Sequence, residues 1–238
     1  MIEGFGSASI TGMSSSAAVQ PPSVSVEDYV KAIWEVAGAD VASTKDVAER
    51  LLIAPPSVTN MFVRLREMGF VEYERYRGVS LTERGREEAL RLVRRHRLIE
   101  TFLLQHLGYS WEQVHEEAER LEHAVSDGFT ERLAEYLGHP DQDPHGDPIP
   151  AADGTIQPDY SFPLSEAEPG QRIRISKVGD DPSTLDYLGE RELVPGRLLY
   201  VREVRDLDGV VTVEDEDGGA HSLGEPLARA VYVRAAAR

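Results

Sequence analysis

Through the first hundred residues, apolar positions recur three and four apart, the period of helices that bury one face. Val26, Tyr29, Val30, Ile33 and Trp34 predict a first helix over Ser25–Val36, with Ser25 as its N-cap and Gly38 as its stop. Ser43 caps a second helix that ends near Leu52 and turns Val47, Leu51 and Leu52 inward. Ala54-Pro55-Pro56 makes a turn, because proline cannot continue a helix but suits the first turn of the next. That next helix, Ser57–Met68, carries Val58, Phe62, Leu65 and Met68 on one stripe and stops at Gly69. Phe70–Tyr73 and Gly78–Leu81 predict two short strands around a tip at Glu74–Arg77, and Thr82 caps a long helix, TERGREEALRLVRRHRLIETFLLQHL. Periodicity predicts one further helix over Glu112–Leu137. The Pro-, Gly- and Asp-rich GHPDQDPHGDPIPAADGTIQPDY then reads as a connecting segment. From Phe162 the period changes to two: QRIRISKV, RLLYVREV, GVVTVED and RAVYVR alternate between turns, as in a small β-barrel, with a short helix at Thr184–Glu190.

Helix, turn, helix and small hairpin, in that order, predict a winged helix-turn-helix whose second helix enters the major groove of DNA. Pro56, Ser57, Thr59, Asn60 and Arg64 lie at its leading end or off its apolar stripe. Asn can pair with adenine, and Arg with guanine or phosphate. Arg75 and Arg77 at the hairpin tip can reach backbone phosphate.

The net charge of −17 argues at first against a nucleic-acid partner. Its distribution removes the objection. Val24–Arg97 holds 13 basic and 12 acidic residues, whereas the rest of the chain holds 12 and 30. The absence of cysteine excludes disulfides, thiolate zinc sites, iron–sulfur clusters and thiol catalysis. No apolar run approaches a membrane span, and Met1–Pro22, rich in Ser, Ala and Gly, lacks the features of a signal peptide and is expected to be a flexible tail.

The stretch VHEEAERLEH, Val114–His123, has distinctive chemistry. At helical spacing His115, Glu119, Glu122 and His123 share a face, so two imidazoles and two carboxylates converge. Acidic helices most often just face water. A divalent ion is the alternative, and mixed oxygen and nitrogen donors without a thiol suit manganese or iron. The zinc-protease pattern HExxH is absent, because no second His follows at the required spacing. His139 and His145 lie in the connecting segment and are expected to be solvated.

Taken together, SVEDY, APPSVTNMFVRLREMGFVEYERYRGVSLTERG, RHRLIETFLL, WEQVHEEAERLEH and HPDQDPHGDPIP, in that order, resemble the diphtheria toxin repressor / manganese transport regulator family of metal-dependent repressors. The last part of the chain resembles the SH3-like, FeoA-type domain of its longer members. The resemblance implies a mainly α protein: a tail (1–22), a winged helix-turn-helix domain (23–85), a helical dimerisation and metal-binding domain (86–150), a linker (151–160) and an SH3-like β-barrel (161–238). It implies a primary metal site of Asp28, Glu119, Glu122 and His123, and a second of His96, Glu100 and His115, completed by Asp181 from the barrel. Iron-sensing members commonly carry Met and Cys where this chain has Asp28 and Glu119, so hard carboxylates here point to Mn²⁺, with Fe²⁺ the alternative. Some manganese sensors use a Glu where this chain has Lys31 to build a binuclear centre, and an ammonium cannot ligate a metal.

The expected function is therefore that of a cytoplasmic, homodimeric, Mn²⁺-dependent regulator. It would repress metal-uptake genes by binding palindromic operator DNA, with metal tying the DNA-reading unit to the dimer scaffold. A metal-dependent hydrolase with a winged-helix targeting module is the competing class, but no nucleophile or substrate pocket is apparent.

Overall fold

The computed structural model describes residues 24–111, 113–205 and 207–236. The expected tail lies outside these residues. The helical part begins with α1 (Val24–Ala37), α2 (Thr44–Arg50) and α3 (Pro55–Glu67), followed by a hairpin of β1 (Val71–Glu74) and β2 (Gly78–Leu81). It continues through α4 (Glu83–Leu107), α5 (Val114–Leu121) and α6 (Asp127–Tyr136). Ser43 and Thr82 cap α2 and α4 through hydrogen bonds from Asp46 N and Gly85 N, as their positions predict. Ser25 lies inside α1 rather than before it. Both prolines occupy the first turn of α3, where a missing N–H costs nothing.

Val26, Val30, Ile33, Val47, Val58, Phe62 and Leu65 close the first core beneath the hairpin. Leu52 departs from expectation. It follows the end of α2 at φ +55° and is 92% exposed, because the chain has left the helix before that side chain could turn inward. Gly85 permits the junction with the next domain: a Cβ there would stand 1.9 Å from the Phe70 carbonyl oxygen.

The helix expected across residues 112–137 is two helices. Between α5 and α6 the chain turns through Glu122–Ser126, and Ser126 caps α6 by accepting from Phe129 N. Leu98, Ile99, Leu103, Val114, Ala118, Leu133 and Ala134 form the second core, between α4 and these two helices.

The last domain is an antiparallel sheet in the order β3-β8-β4-β5-β6-β7. Its strands are β3 (Phe162–Pro163), β4 (Arg172–Val178), β5 (Leu198–Arg205), β6 (Val210–Asp215), β7 (Ala220–Leu223) and β8 (Val231–Ala235). The helices α7 (Pro182–Gly189) and α8 (Glu225–Ala230) complete it around a third core that includes Ile173, Ile175, Leu185, Leu199 and Val213. The connecting segment is pinned to α4: Arg94 Nη1 donates to the Pro150 carbonyl at 2.8 Å, and Arg97 Nη1 to that of Pro148 at 2.6 Å. Gly146, at φ +90°, packs so tightly under β4 that a Cβ would fall 2.1 Å from the Ser176 carbonyl oxygen.

Candidate metal centre and DNA-reading face

Three elements build the candidate metal centre. Asp28 comes from α1, His96 and Glu100 from α4, and His115 and Glu119 from α5, with Glu122 and His123 in the turn that follows. That turn is held from beneath by Arg95, which is buried; its Nη1 donates to the Glu122 carbonyl at 2.7 Å and its Nη2 to Asp127 Oδ1 at 2.8 Å. The outer face of α5 behaves as a solvated helix face should, with Arg120 pairing Glu116 and Glu117.

Among the described residues, ligand-type atoms gather in three groups, each within 4.8 Å: Asp28, Glu122 and His123; His96, His115 and Glu119; and Glu100, Asp143 and His145. The first holds three of the four residues expected for the primary site, whereas Glu119 falls with His96 and His115. His123 Nε2 is 2.9 Å from Asp28 Oδ1, and its Nδ1 is 2.7 Å from Glu27 Oε2. Glu27 thereby orients the imidazole from outside the group, a role common beside metal-bound histidines. The bond to Asp28, assisted by Glu27 against the cost of burial, raises the His123 pKa to about 9.

Lys31 stands among these donors. Its Nζ lies 2.7 Å from Glu119 Oε1, 2.9 Å from Glu122 Oε2 and 3.2 Å from His96 Nδ1. Burial disfavours the ammonium, yet the surrounding carboxylates outweigh that cost and raise its pKa. Burial works equally against Glu119, and attraction to Lys31 overrides it, lowering that pKa to about 2. His96 Nδ1 is also 2.5 Å from Glu122 Oε2. One ring nitrogen carries either a proton or a lone pair, so it cannot both donate to Glu122 and accept from Lys31.

The third group corrects an expectation. His145 is not solvated: it is 2% exposed, its Nδ1 lies 3.7 Å from Glu100 Oε2, and its Nε2 is 3.2 Å from the Trp111 carbonyl. Asp143 beside it is buried among carboxylates; burial first and Glu100 second raise its pKa to about 7. Asp181, expected to complete the second site, instead caps α7, accepting from Thr184 N and Ser183 Oγ. Its neighbour Asp180 is the residue near the centre, 3.0 Å from Arg50 Nη2 and 3.8 Å from His115 Nε2. No spacing in the sequence marks Asp143, His145, Asp180 or Arg95 as functional.

The donor chemistry fits a hard divalent cation, because carboxylates and imidazoles supply every group and no sulfur is present.

On the DNA-reading face, Pro56, Ser57, Asn60 and Arg64 are exposed along α3. Thr59 is half-buried, and its hydroxyl donates to the Pro55 carbonyl at 3.2 Å. Arg75 and Arg77 are exposed at the hairpin tip, where Arg77 pairs with Glu74 at 3.1 Å. The Phe62 and Tyr73 rings, 5.3 Å apart, couple α3 to the hairpin.

A winged-helix reader fused to helices that gather carboxylates and imidazoles, followed by a small sheet domain, defines a metal-responsive DNA-binding protein. Residues 23–79 match the "Iron dependent repressor, N-terminal DNA binding domain", 82–151 the "Iron dependent repressor, metal binding and dimerisation domain", and 162–235 the "FeoA domain". The iron-dependent repressor IdeR of Mycobacterium bovis is 30% identical over 206 residues, covering 84% of this chain and 88% of that protein. The regulator MntR of Lysinibacillus sphaericus is 36% identical over 124 residues, 52% of this chain and 88% of its own length. A solved "Manganese-dependent transcriptional repressor complex with manganese" superposes with a TM-score of 0.83 at 39% identity, covering 89% of this chain and all of that one. The chain belongs to the iron-dependent repressor family of metal-dependent transcriptional regulators, which are DNA-binding repressors and not enzymes.

Proposed function

We propose that this protein is a manganese-responsive repressor of metal-uptake genes that acts in the cytoplasm as a homodimer on palindromic operators. The observation that carries the reading is the group of Asp28, Glu122 and His123, two hard carboxylates and an imidazole joining the first helix of the reading domain to the helical domain. Similarity to a manganese-dependent repressor solved in complex with manganese supports the choice of ion. Fe²⁺ is the second reading, supported by likeness to IdeR.

In this reading the chain divides at 23–85, 86–150, 151–160 and 161–238, the last domain being SH3-like and barrel-forming. Asp28, Glu119, Glu122 and His123 serve the primary site. His96, Glu100 and His115 serve a second, for which the burial of Asp143 and His145 beside Glu100 and the proximity of Asp180 to His115 support further donors. A bound divalent ion supplies the positive charge that lets these carboxylates hold a fixed spacing. Glu27 orients His123, Arg95 fixes the turn, and Lys31 neutralises the carboxylates beside it, which favours a single ion in the primary group. Exposed Leu107, Phe129 and Tyr136, at the end of α4 and along α6, support a dimer face there. Two reading helices held at the spacing of successive major grooves then engage a palindrome, and metal and DNA binding are reciprocally coupled.

The test is an electrophoretic shift with the promoter of a manganese importer, titrating Mn²⁺, Fe²⁺ and Zn²⁺ separately against a chelator control. Tight binding with Mn²⁺ and its loss in chelator are expected. Equal, selective binding by demetallated protein overturns the proposal.

A further inference from the structure

Arg50 ends α2, the helix that precedes the reading helix, and its guanidinium reaches out of the reading domain. Its Nε donates to Glu35 Oε2 at 2.7 Å, and its Nη2 crosses to the sheet domain and donates to Asp180 Oδ2 at 3.0 Å. The side chain is 31% exposed, so the bridge is partly withdrawn from water. α2 shares a core with α3 through Val47, Ala48, Val58 and Phe62, and what holds Arg50 therefore also holds the reading helix. At the far end Asp180 stands on a fixed backbone: Gly179 N donates to the Ala230 carbonyl at 2.8 Å, and Asp181 caps α7.

Asp180 has a second claimant. The same oxygen, Oδ2, lies 3.8 Å from His115 Nε2, which is itself 3.8 Å from Glu119 Oε1 in the group of His96, His115 and Glu119. A guanidinium beside that oxygen repels a divalent cation approaching it, and a cation in the group draws the carboxylate away from the guanidinium. By linkage each weakens the other to the same extent. The frame leaves space for the exchange. A cavity of about 430 Å³ adjoins the bridge, with Trp34, Glu35 and Arg50 on the reading-domain side and Lys177, Asp180 and Tyr232 on the sheet-domain side.

We propose that Arg50 and Asp180 form a latch between the reading domain and the sheet domain, which opens when a divalent cation in the group of His96, His115 and Glu119 takes Asp180. The inference rests on the second metal site and adds to it a residue of the reading domain that contributes no donor. The sheet domain thereby senses that site and passes its occupancy to α2 and α3, whereas the primary group acts on the reading domain through Asp28 of α1.

The test uses the full chain, whose lack of cysteine allows spin labels at Lys45→Cys in α2 and Leu207→Cys in the sheet domain, both exposed. Arg50→Met is made in a Glu35→Gln background, so that no new charge is freed beside the donors. Calorimetry of the wild type with Mn²⁺ should show an ion that is lost in His115→Ala, and Arg50→Met should tighten that ion roughly fivefold relative to its background. Label-to-label distances should broaden in metal-free Arg50→Met and Asp180→Asn alike, and no further when the two are combined. Saturating Mn²⁺ should broaden them in the wild type and change nothing in Asp180→Asn. Unchanged Mn²⁺ affinity in Arg50→Met, or wild-type distances in metal-free Asp180→Asn, overturns the latch. A wild type that binds no His115-dependent ion sinks the second site and the latch with it, and is visible before any latch variant is made.

Discussion

The Lys31 ammonium contacts both oxygens of the Glu122 carboxylate, at 3.0 and 2.9 Å, in a part of the protein where Glu122 has no solvent exposure. The chain thus carries a permanent cation among donors suited to a metal. Removing one partner of a buried ion pair leaves an uncompensated charge.

Lys31→Met is accordingly expected to destabilise the metal-free protein by about 3–5 kcal/mol. Added Mn²⁺ should restore much of the loss, because a divalent ion can neutralise the same carboxylates. Urea denaturation with and without Mn²⁺ measures both. An unchanged metal-free midpoint would show that Glu122 does not depend on this ammonium.

Glu122→Gln keeps the shape of the side chain and removes its charge. Operator binding should lose its dependence on Mn²⁺, while circular dichroism stays that of the wild type. Retention of full metal dependence contradicts the assignment of Glu122 as a donor.

Arg95 touches no candidate donor side chain, yet it fixes the backbone on which two of them stand. Arg95→Met should cost about 2 kcal/mol, the range for a lost hydrogen bond from a charged group. It should also weaken Mn²⁺ binding in calorimetry, because Glu122 and His123 lose their support. Weaker stability with unchanged metal affinity would limit Arg95 to a scaffold role.

The pH dependence has a definite sign. His123 titrates near 9 in the folded chain, above its ordinary value, chiefly through its bond to Asp28. Its contribution is complete below about pH 6.5 and is lost as pH rises through 9. Glu119, held near 2 by Lys31 against the cost of burial, contributes above about pH 4.5 and loses that contribution as pH falls towards 2. These two groups should therefore lower the stability of metal-free protein as pH rises from 7 through 9 and as it falls from 4.5 towards 2. Bound Mn²⁺ should flatten the alkaline decline, since the ion takes a neutral imidazole. A melting temperature that climbs from pH 7 to 9 without metal would refute this.

On DNA, Asn60→Ala should reduce specific binding by about 1–3 kcal/mol if the amide pairs with a base. Comparison of an operator duplex with random DNA decides the point, and equal losses on both would make Asn60 a positioning contact.

The reading domain was legible because its signals are local. Caps at Ser43 and Thr82, prolines at the start of α3 and a stripe of Val58, Phe62 and Leu65 all act within a few residues. The break after Glu122 was signalled by Ser126 followed by Asp127, but the apolar period runs on through Leu121, Val125, Leu133 and Leu137 and concealed it. The edge strands β3 and β7 are too short to show alternation. At the candidate metal centre, helical spacing brought out His115, Glu119, Glu122 and His123 as candidate donors. It could not say that Lys31, 91 residues from Glu122, would stand between them. Nor could it bury His145, whose environment comes from Glu100 and Trp111 on other elements. Asp180 and Asp181 are indistinguishable by composition, and only the start of α7 makes the second a cap.

The irregular segment before the sheet domain is riveted by Arg94 and Arg97 and threaded under Ser176 at Gly146. It is a splint and not a leash. The sheet domain therefore meets the metal helices at a separation set by rigid geometry, not by the statistics of a loose polymer. Lengthening this stretch would do more than add slack: it would remove the fixed distance between the sheet domain and the helices that Arg94 and Arg97 now set.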